Sequence, residues 1–517
     1  MKAIDLTLNA INADALGARL GPDRAGIASW SMSRNTRFVD GVVNAVRGEL
    51  DVFPGGPSTP ILAGRQLVQG GVNVLVCVVS NGIWTFDGAW HNQSPAGFVA
   101  PELDRISTTV INGLLVVNAP PNEPYFVPLT GGYPVATKLP GWVANSYCNA
   151  LVAYRYYLVA VGITEGASKF DQLVRWSVSA EPGALPASWT PLPENDAGDL
   201  VVAEFPGELV AARPLGDALM LYKHSGTWAL NWVGGQGIMA RRLVFPLVGV
   251  LNQQAVVNIE RAHVLAVPGD LVMHDGATSK SLLEGRFRNW FKERVQPGVW
   301  GRVTLALDSV KGEVWCAYPV PGSDALVEAV VWSRFDDSIT VRDISPSNNL
   351  FFSAIQGQRW AWSDQTFSWA NSGGKRWSDQ GYSGDGSAML VCLANPSGSK
   401  LSQLDATFPP ATLRIADRVV YAERVGIPVG PLGLKKLFKR VRPRVSGQVG
   451  TVLAVQIGAH DEISAPVKWQ AAQPFTIGQS TSVPAMVAGR FAAMRFEGTG
   501  RFAVEGFSIE YTEQGAI

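Results

Sequence analysis

Along the chain one event repeats: a short alternating or fully apolar run, a tight turn carrying Gly, and a second such run. Residues Val72 to Val79 lead through Asn81-Gly82 into Ile83–Phe86, and Asp87-Gly88 turns the chain again. Asn-Gly and Asp-Gly supply the positive φ angles that two-residue hairpins need. The same pattern predicts paired strands within Thr109–Val117 and Ala153–Val161. It recurs at Asp217–Tyr222 with Thr227–Trp232, at His263–Val267 with Leu271–Gly276, and at Val303–Leu307 with Glu313–Tyr318. Single runs follow at Ala329–Trp332 and Ala388–Leu393. Recurrence every roughly 40 to 60 residues is the period of propeller blades, each a small antiparallel sheet that buries its faces only against neighbouring blades.

The fold class is therefore all-β, a β-propeller of five to seven blades over residues 51–400. Trp84, Trp176, Trp228, Trp315 and Trp332 are expected to be buried between its sheets. Trp-Ser recurs at Trp176, Trp332, Trp362 and Trp377, and Trp-Ser-Asp-Gln appears twice, at Trp362 and Trp377; packing between blades is favoured over sugar binding. One short surface helix is predicted, within Ser281–Val295, where Leu283, Phe287 and Phe291 recur at i, i+4, weakened by Gly285. Near residue 400 the texture changes, through Asn395–Lys400 and Phe408-Pro-Pro410. Beyond it, Val452–Ile457, Val467–Trp469, Phe491–Phe496 and Phe507–Tyr511 read as strands of an additional C-terminal β-sandwich-like domain, 401–517. Those last strands have the alternative of closing the propeller ring. Residues 1–50 form an N-terminal segment with a docking or ring-closing role.

Composition sharpens this picture. The 517 residues include 54 Gly and 33 Pro, with only 17% charged, which marks a turn-rich, helix-poor globular chain and excludes intrinsic disorder. Forty-three basic residues balance 43 acidic ones, which argues against a dedicated nucleic-acid binder, since phosphate neutralisation needs an excess of Lys and Arg. Cys77, Cys148, Cys316 and Cys392 lack CxxC spacing and read as reduced core residues of a chain folded in a reducing compartment. The N-terminus has no apolar h-region, and no window approaches 18 continuous apolar residues, so neither a signal peptide nor a membrane-spanning segment is expected.

Catalytic chemistry is hard to place. The five histidines lack metal-ligand spacing, and there is no GxSxG, P-loop, HExxH or EF-hand loop. Glu194–Asp199 lacks the ligand alternation of a Ca²⁺ loop and reads as solvated; in His274-Asp275-Gly276 the last two residues read as a hairpin turn. No enzyme activity and no cofactor are expected. The single basic concentration is Leu434–Arg444, with Lys435, Lys436, Lys439, Arg440, Arg442 and Arg444 and no acid. It reads either as a strip facing a DNA channel or an acidic partner, or as a solvated face with Leu437, Phe438 and Val441 turned inward.

At Leu173–Ser177, Pro186–Pro191 and Asn195–Gly198 the sequence resembles the tail nozzle proteins of short-tailed bacteriophages, also called tail tubular protein B or virion stabilisation proteins. The likeness continues through Asp217–Lys223 with Trp228, Gly249, Ala255–Val257, and Gly269–Gly276 leading into Phe287–Phe291. It resumes at Val455–Ala459, Val467–Trp469, Gly489–Phe491, Met494–Phe496 and Gly506–Glu510. These motifs are structural, and their shared order carries the resemblance. It implies a virion protein, folded in the host cytoplasm, that forms a homohexameric ring below the portal and adaptor and extends the DNA-ejection channel. Its implied partners are the tail adaptor protein, tail fibre or spike proteins, and double-stranded DNA in transient, non-specific contact. Two other classes compete: a propeller-type carbohydrate-binding or depolymerising tail protein, which needs paired carboxylates roughly 5 to 9.5 Å apart, and a cellular propeller scaffold.

Overall fold

The computed structural model describes residues 2–8, 10–11, 29–69, 72–100, 105–295, 297–353, 388–406, 414–431, 433–462 and 465–514. Trp362, Trp377 and Phe408-Pro-Pro410 lie outside these residues. The chain is all-β, and its β-propeller is built from seven blades. Five are separate four-stranded antiparallel sheets in sequence order. Blade one runs from Ile61–Gln69 to Trp90–Asn92, blade two from Ser107–Ile111 to Thr137–Lys138, and blade three from Ser146–Tyr154 to Gly198–Val201. Blade four runs from Leu209–Leu215 to Ile238–Pro246, and blade five from Val256–Asn258 to Ser279–Ser281. Asn112 (φ 51°) and Gly113 (φ 80°) both take the positive φ of a two-residue hairpin. At Asn81-Gly82 the turn instead falls on Ser80-Asn81: Gly82 is already in the strand, paired with Val79, and neither Asn81 nor Gly82 takes a positive φ.

Blades six and seven share one long strand, Ile339–Ser353. Its first half pairs with Leu326–Ser333 as the outer strand of blade six, beyond Thr304–Asp308 and Glu313–Tyr318. The second half pairs with Ala388–Leu393, and so becomes the first strand of blade seven. Leu401–Gln403 follows, and Leu50–Val52 from the other end of the chain supplies the last strand. The strand just before blade one thus closes the ring, and the C-terminal strands do not.

The seams from blade seven round to blade four are mainly apolar. Blades seven and one meet through Val52, Leu390 and Cys392 against Ile61, Leu75 and Cys77. Blades one and two meet through Val76 and Leu115, two and three through Val116 and Leu158, three and four through Val159 and Trp228. Trp176, Trp228, Trp315 and Trp332 are buried, while Trp84 is half-buried against Trp90. All four cysteines are buried free thiols.

The remaining strands form a β-sandwich. One sheet has the order Val483–Gly489, Lys435–Gly447, Phe502–Gln514, with Lys2–Leu6 and Val42–Ala45 both added along the last strand. The second runs Met32–Arg34, Val420–Pro428, Phe491–Gly498, Val452–His460. Trp30 fills the space between them, its ring 5.9 Å from Phe496 and 6.0 Å from Phe507. Met32–Arg34 also bridges in parallel to Val341 of the long shared strand, so this second sheet continues directly out of blade six.

Among the described residues the sole α-helix is Arg288–Arg294. It starts later than the apolar spacing predicts because Gly285 takes φ +74° and the Ser281 hydroxyl accepts the N–H groups of Leu283 and Glu284 in a turn. Phe287 and Phe291 are fully buried while Arg288, Asn289, Lys292 and Glu293 are exposed, so the helix lies on the surface with its apolar face turned into the core.

Candidate functional site

The basic run occupies the strand Lys435–Gly447, central in its sheet. Phe438, Val441 and Pro443 point into the sandwich, and Leu437 lies half-buried on the opposite face. The ladder to Phe502–Gln514 shifts between Phe438 and Arg440, which makes Lys439 the extra residue of a bulge. The bulge reverses the side-chain alternation, so Arg440, Arg442 and Arg444 join Lys435 on the outer face. Lys436 falls on the inner one. It is fully buried, its ammonium donating to the carbonyls of Pro431 and Arg490 (3.3 Å for the latter), and burial lowers its pKa.

The outward cations are met by acids from neighbouring segments. Arg442 forms an ion pair with Glu510 at 2.6 Å, and Arg440 approaches the same carboxylate at 4.0 Å. Lys435 sits 3.3 Å from Asp461, and Arg444 pairs with Asp5 and donates to Thr7 Oγ1 at 3.0 Å. Lys439 has no acid within reach among the described residues. The strip is therefore a mixed-charge surface with a weak net field, unlike the uncompensated stripe that the local sequence presents.

A denser charge cluster lies at the junction of propeller and sandwich. Glu313 of blade six accepts from Arg342 (2.7 and 3.1 Å) and from Arg37 of the sandwich (2.6 Å). Burial alone would raise the Glu313 carboxyl, but Arg342 and Arg37 override it and hold the pKa down to about 2. Asp405 joins Arg37 to Lys311 (3.1 Å), and its carboxyl too is held far below the ordinary range despite burial. Nearby, Glu328 accepts from Arg34, Arg294 (2.9 Å) and the Tyr318 hydroxyl (2.6 Å), while Glu49 takes Arg414 and Arg418. These partners lie up to several hundred positions apart, so no spacing in the sequence announces them. A lone basic residue beside a short apolar strand, as at Arg34 and Arg37, is the faint signal available.

A third group is buried between blades four and five. The Tyr222 hydroxyl lies 2.5 Å from His263 Nδ1 and 2.9 Å from His274 Nε2. His263 Nε2 faces the Pro214 carbonyl at 3.0 Å and must donate to it. Nδ1 of the neutral ring then accepts from Tyr222, whose oxygen accepts from His274 Nε2–H, and His274 Nδ1 accepts the Gly276 N–H at 3.2 Å. Every side-chain polar atom of Tyr222, His263 and His274 is satisfied with both rings neutral. Burial lowers His263 to about 3 and His274 to about 4, and raises Tyr222 well above its usual value. This is a structural relay. Asp275-Gly276 forms the predicted turn, with Asp275 accepting from Ala277 and Thr278.

Among the described residues no group of three or more His, Cys, Asp and Glu gathers as a metal-ligand set, and no helix is long and apolar enough to cross a membrane. Asp196 of the acidic loop 194–199 accepts from the Tyr157 hydroxyl (3.0 Å) and the Ser179 N–H (3.1 Å), a turn-stabilising role. An open groove at one end of the sandwich, lined by Val419, Val452, Pro474 and Glu497, carries Glu497 as its single ionisable side chain.

No family model and no curated protein matches the chain. Among solved structures it is similar to the β-propeller domain of Cps50 (Swd1) from Myceliophteria thermophila, at 11% identity and TM-score 0.36 over 57% of this chain and 91% of that one. BBS1N, solved in complex with ARL6DN, aligns at 12% identity and TM-score 0.36 over 70% of this chain and 97% of that one.

Proposed function

We propose that the chain is a structural virion protein, the tail nozzle subunit of a short-tailed bacteriophage, assembled as a homohexamer that extends the DNA-ejection channel below the portal and adaptor. The observation that carries this reading is the ordered set of residues resembling nozzle proteins. They fall on blades three to five and on both sheets of the sandwich, about residues 170–295 and 434–515, so the likeness covers parts of both propeller and sandwich, while the first 130 residues and 340–430 match only in texture. Two features support it. The four buried free thiols suit folding in a host cytoplasm, and propeller and sandwich are joined by a continuous sheet and a buried ion network, which suits a load-bearing conduit.

The compensated strip fits the same reading. A strongly cationic lumen would hold DNA with a free energy growing with each phosphate contacted, whereas a face on which Glu510, Asp5 and Asp461 answer most cations grips it weakly. The same row, with Arg440 and Arg442 its most exposed cations and Lys439 its uncompensated one, would otherwise set register against an acidic tail neighbour. Replacing Lys439, Arg440 and Arg442 by Ser separates the two, and leaves the buried Lys436 alone. Assembled particles with altered genome delivery mark a lumen strip; tails that fail to assemble mark a docking strip. Normal assembly with normal delivery leaves a solvated face. The reading as a whole is tested by mass spectrometry of purified virions: it requires the chain among the tail components in sixfold stoichiometry, and absence from the particle overturns it.

A further inference from the structure

Blade four differs from the others at its outer edge. The outer strands of blades one, two, three, five and seven are 3, 2, 4, 3 and 3 residues long. That of blade six is capped by Met32–Arg34. Blade four ends on Ile238–Pro246, nine residues long, with no strand beyond it among the described residues and with Ala240, Arg241, Arg242 and Leu243 all exposed. Short outer strands and a covered one are the usual protections of a sheet edge, because a long edge leaves a row of unpaired N–H and C=O groups.

Apolar exposure concentrates on the same hairpin. Trp232 is 43% exposed, Val233 57%, Leu243 39% and Leu247 82%. Trp232 is held in place, since Arg155 lies over its ring at 5.1 Å and the Trp232 backbone N–H donates to the Tyr154 hydroxyl at 3.3 Å. An ordered, partly apolar ledge therefore borders an open ladder.

We propose that this edge is a binding site for an extended segment of another protein, one that adds as a further strand to blade four and alternates acidic with apolar residues. Charge selects the occupant. Arg241 pairs with Leu230 and Leu243 with Trp228, both facing the blade-three seam, whereas Arg242 pairs with Ala229 on the opposite face. Arg241 already has Glu204 at 2.9 Å. Arg242 has no acceptor among the described residues, so an incoming carboxylate in register with it completes a cross-strand ion pair, and the next residue of the segment lies beside Leu243. A second copy of this strand is disfavoured, because full antiparallel overlap sets Arg242 against its own copy and like charges directly opposite repel. The chain uses the same device on itself where Met32–Arg34 docks on blade six. This inference does not depend on the nozzle reading.

The test uses the full chain with two capped peptides, one of alternating Glu and Val and one of alternating Lys and Val, followed by fluorescence anisotropy and amide hydrogen exchange. The Glu peptide is expected to bind and to slow exchange in Ala240–Leu243, and the Lys peptide to bind at least roughly tenfold more weakly. In R241E/R242E, on an exposed edge where circular dichroism should be unchanged, that preference should reverse. Equal binding of both peptides, or binding without protection of these amides, overturns the proposal. So does concentration-dependent protection in the absence of peptide, which would assign the edge to a second copy of the chain.

Discussion

Acid should loosen the seam between blades four and five well before it reaches the carboxylates. An unfolded histidine titrates near 6.5, but burial holds His263 at about 3 and His274 at about 4. A base whose folded pKa is depressed contributes stability that is complete above the unfolded pKa and is lost as pH falls through 6.5 toward the folded value. At pH 5 the unfolded chain gains about 2 kcal/mol per imidazole by protonation, so the pair costs about 4 kcal/mol. Tyr222 links the two rings, which makes this sum a ceiling. Against a typical stability of roughly 5 to 15 kcal/mol the effect is large. Glu313, held at about 2 against an ordinary 4.5, loses its contribution only below about pH 4.5, so it adds nothing to the change between pH 7 and 5, and the double variant subtracts what groups other than the two histidines contribute, among them Asp270, whose carboxyl burial pushes up. Guanidinium denaturation at pH 7, 6 and 5 should show the midpoint falling, with native-state hydrogen exchange locating the loss in His263–Val267 and Asp270–His274. H263Q/H274Q should be less stable at pH 7 but should lack the fall over this range. A wild-type change below about 1 kcal/mol, or an equal drop in the double variant, would refute the reasoning.

Three further outcomes are expected. Glu313→Gln breaks a buried pair and leaves Arg342 and Arg37 undercompensated, costing roughly 3 to 5 kcal/mol; denaturation should show it, and E313M/R342M should recover much of the loss. Gly64 packs against the Phe351 ring where blade one meets blade seven, and a Cβ there overlaps the ring. Gly64→Ala should cost roughly 1 to 3 kcal/mol, read as faster exchange in Ala388–Leu393. Arg424 is 1% exposed, and none of its guanidinium nitrogens has an acceptor among the described residues. Arg424→Met should therefore raise the melting temperature, since an apolar chain of similar length removes a buried charge; an unchanged or lower Tm would show that Arg424 has a partner in solution.

The blades were legible where the signal is local. Asn112-Gly113 defines a hairpin without tertiary help, whereas the hairpin near Asn81-Gly82 exists but turns one residue earlier than its dipeptide indicates, at Ser80-Asn81; the Trp-bearing runs fall on strands at the seams. Trp84 escapes burial because its strand lies toward the outside of blade one, where Trp90 covers it only in part. Ring closure was legible only as a choice between the N-terminal segment and the C-terminal strands; the strand that closes it, Leu50–Val52, carries no local sign, since it meets Leu401–Gln403 only by long-range pairing. Nor was the double duty of Ile339–Ser353, which passes from blade six to blade seven with no turn chemistry to mark the change. The basic strip was legible in composition but not in parity. Phe438 and Val441, both inward yet three residues apart, break the two-residue period of a strand; that spacing was the available sign of the bulge that sends Lys436 inside.

The shared strand and the ion network have a joint mechanical consequence. Blade six hands its outer strand to blade seven, and bridges through Met32–Arg34 to the sandwich. A rotation of the sandwich relative to the ring must therefore strip ladder hydrogen bonds and separate Arg37 from Glu313 and Asp405. Both carboxylates are almost fully buried, and exposing a separated buried pair costs several kcal/mol for each ion. Hinge motions seldom involve elements so bound, because they draw on segments with few buried contacts. Conformational change in this protein is better sought at blade edges and interblade loops, with ring and sandwich moving as one body.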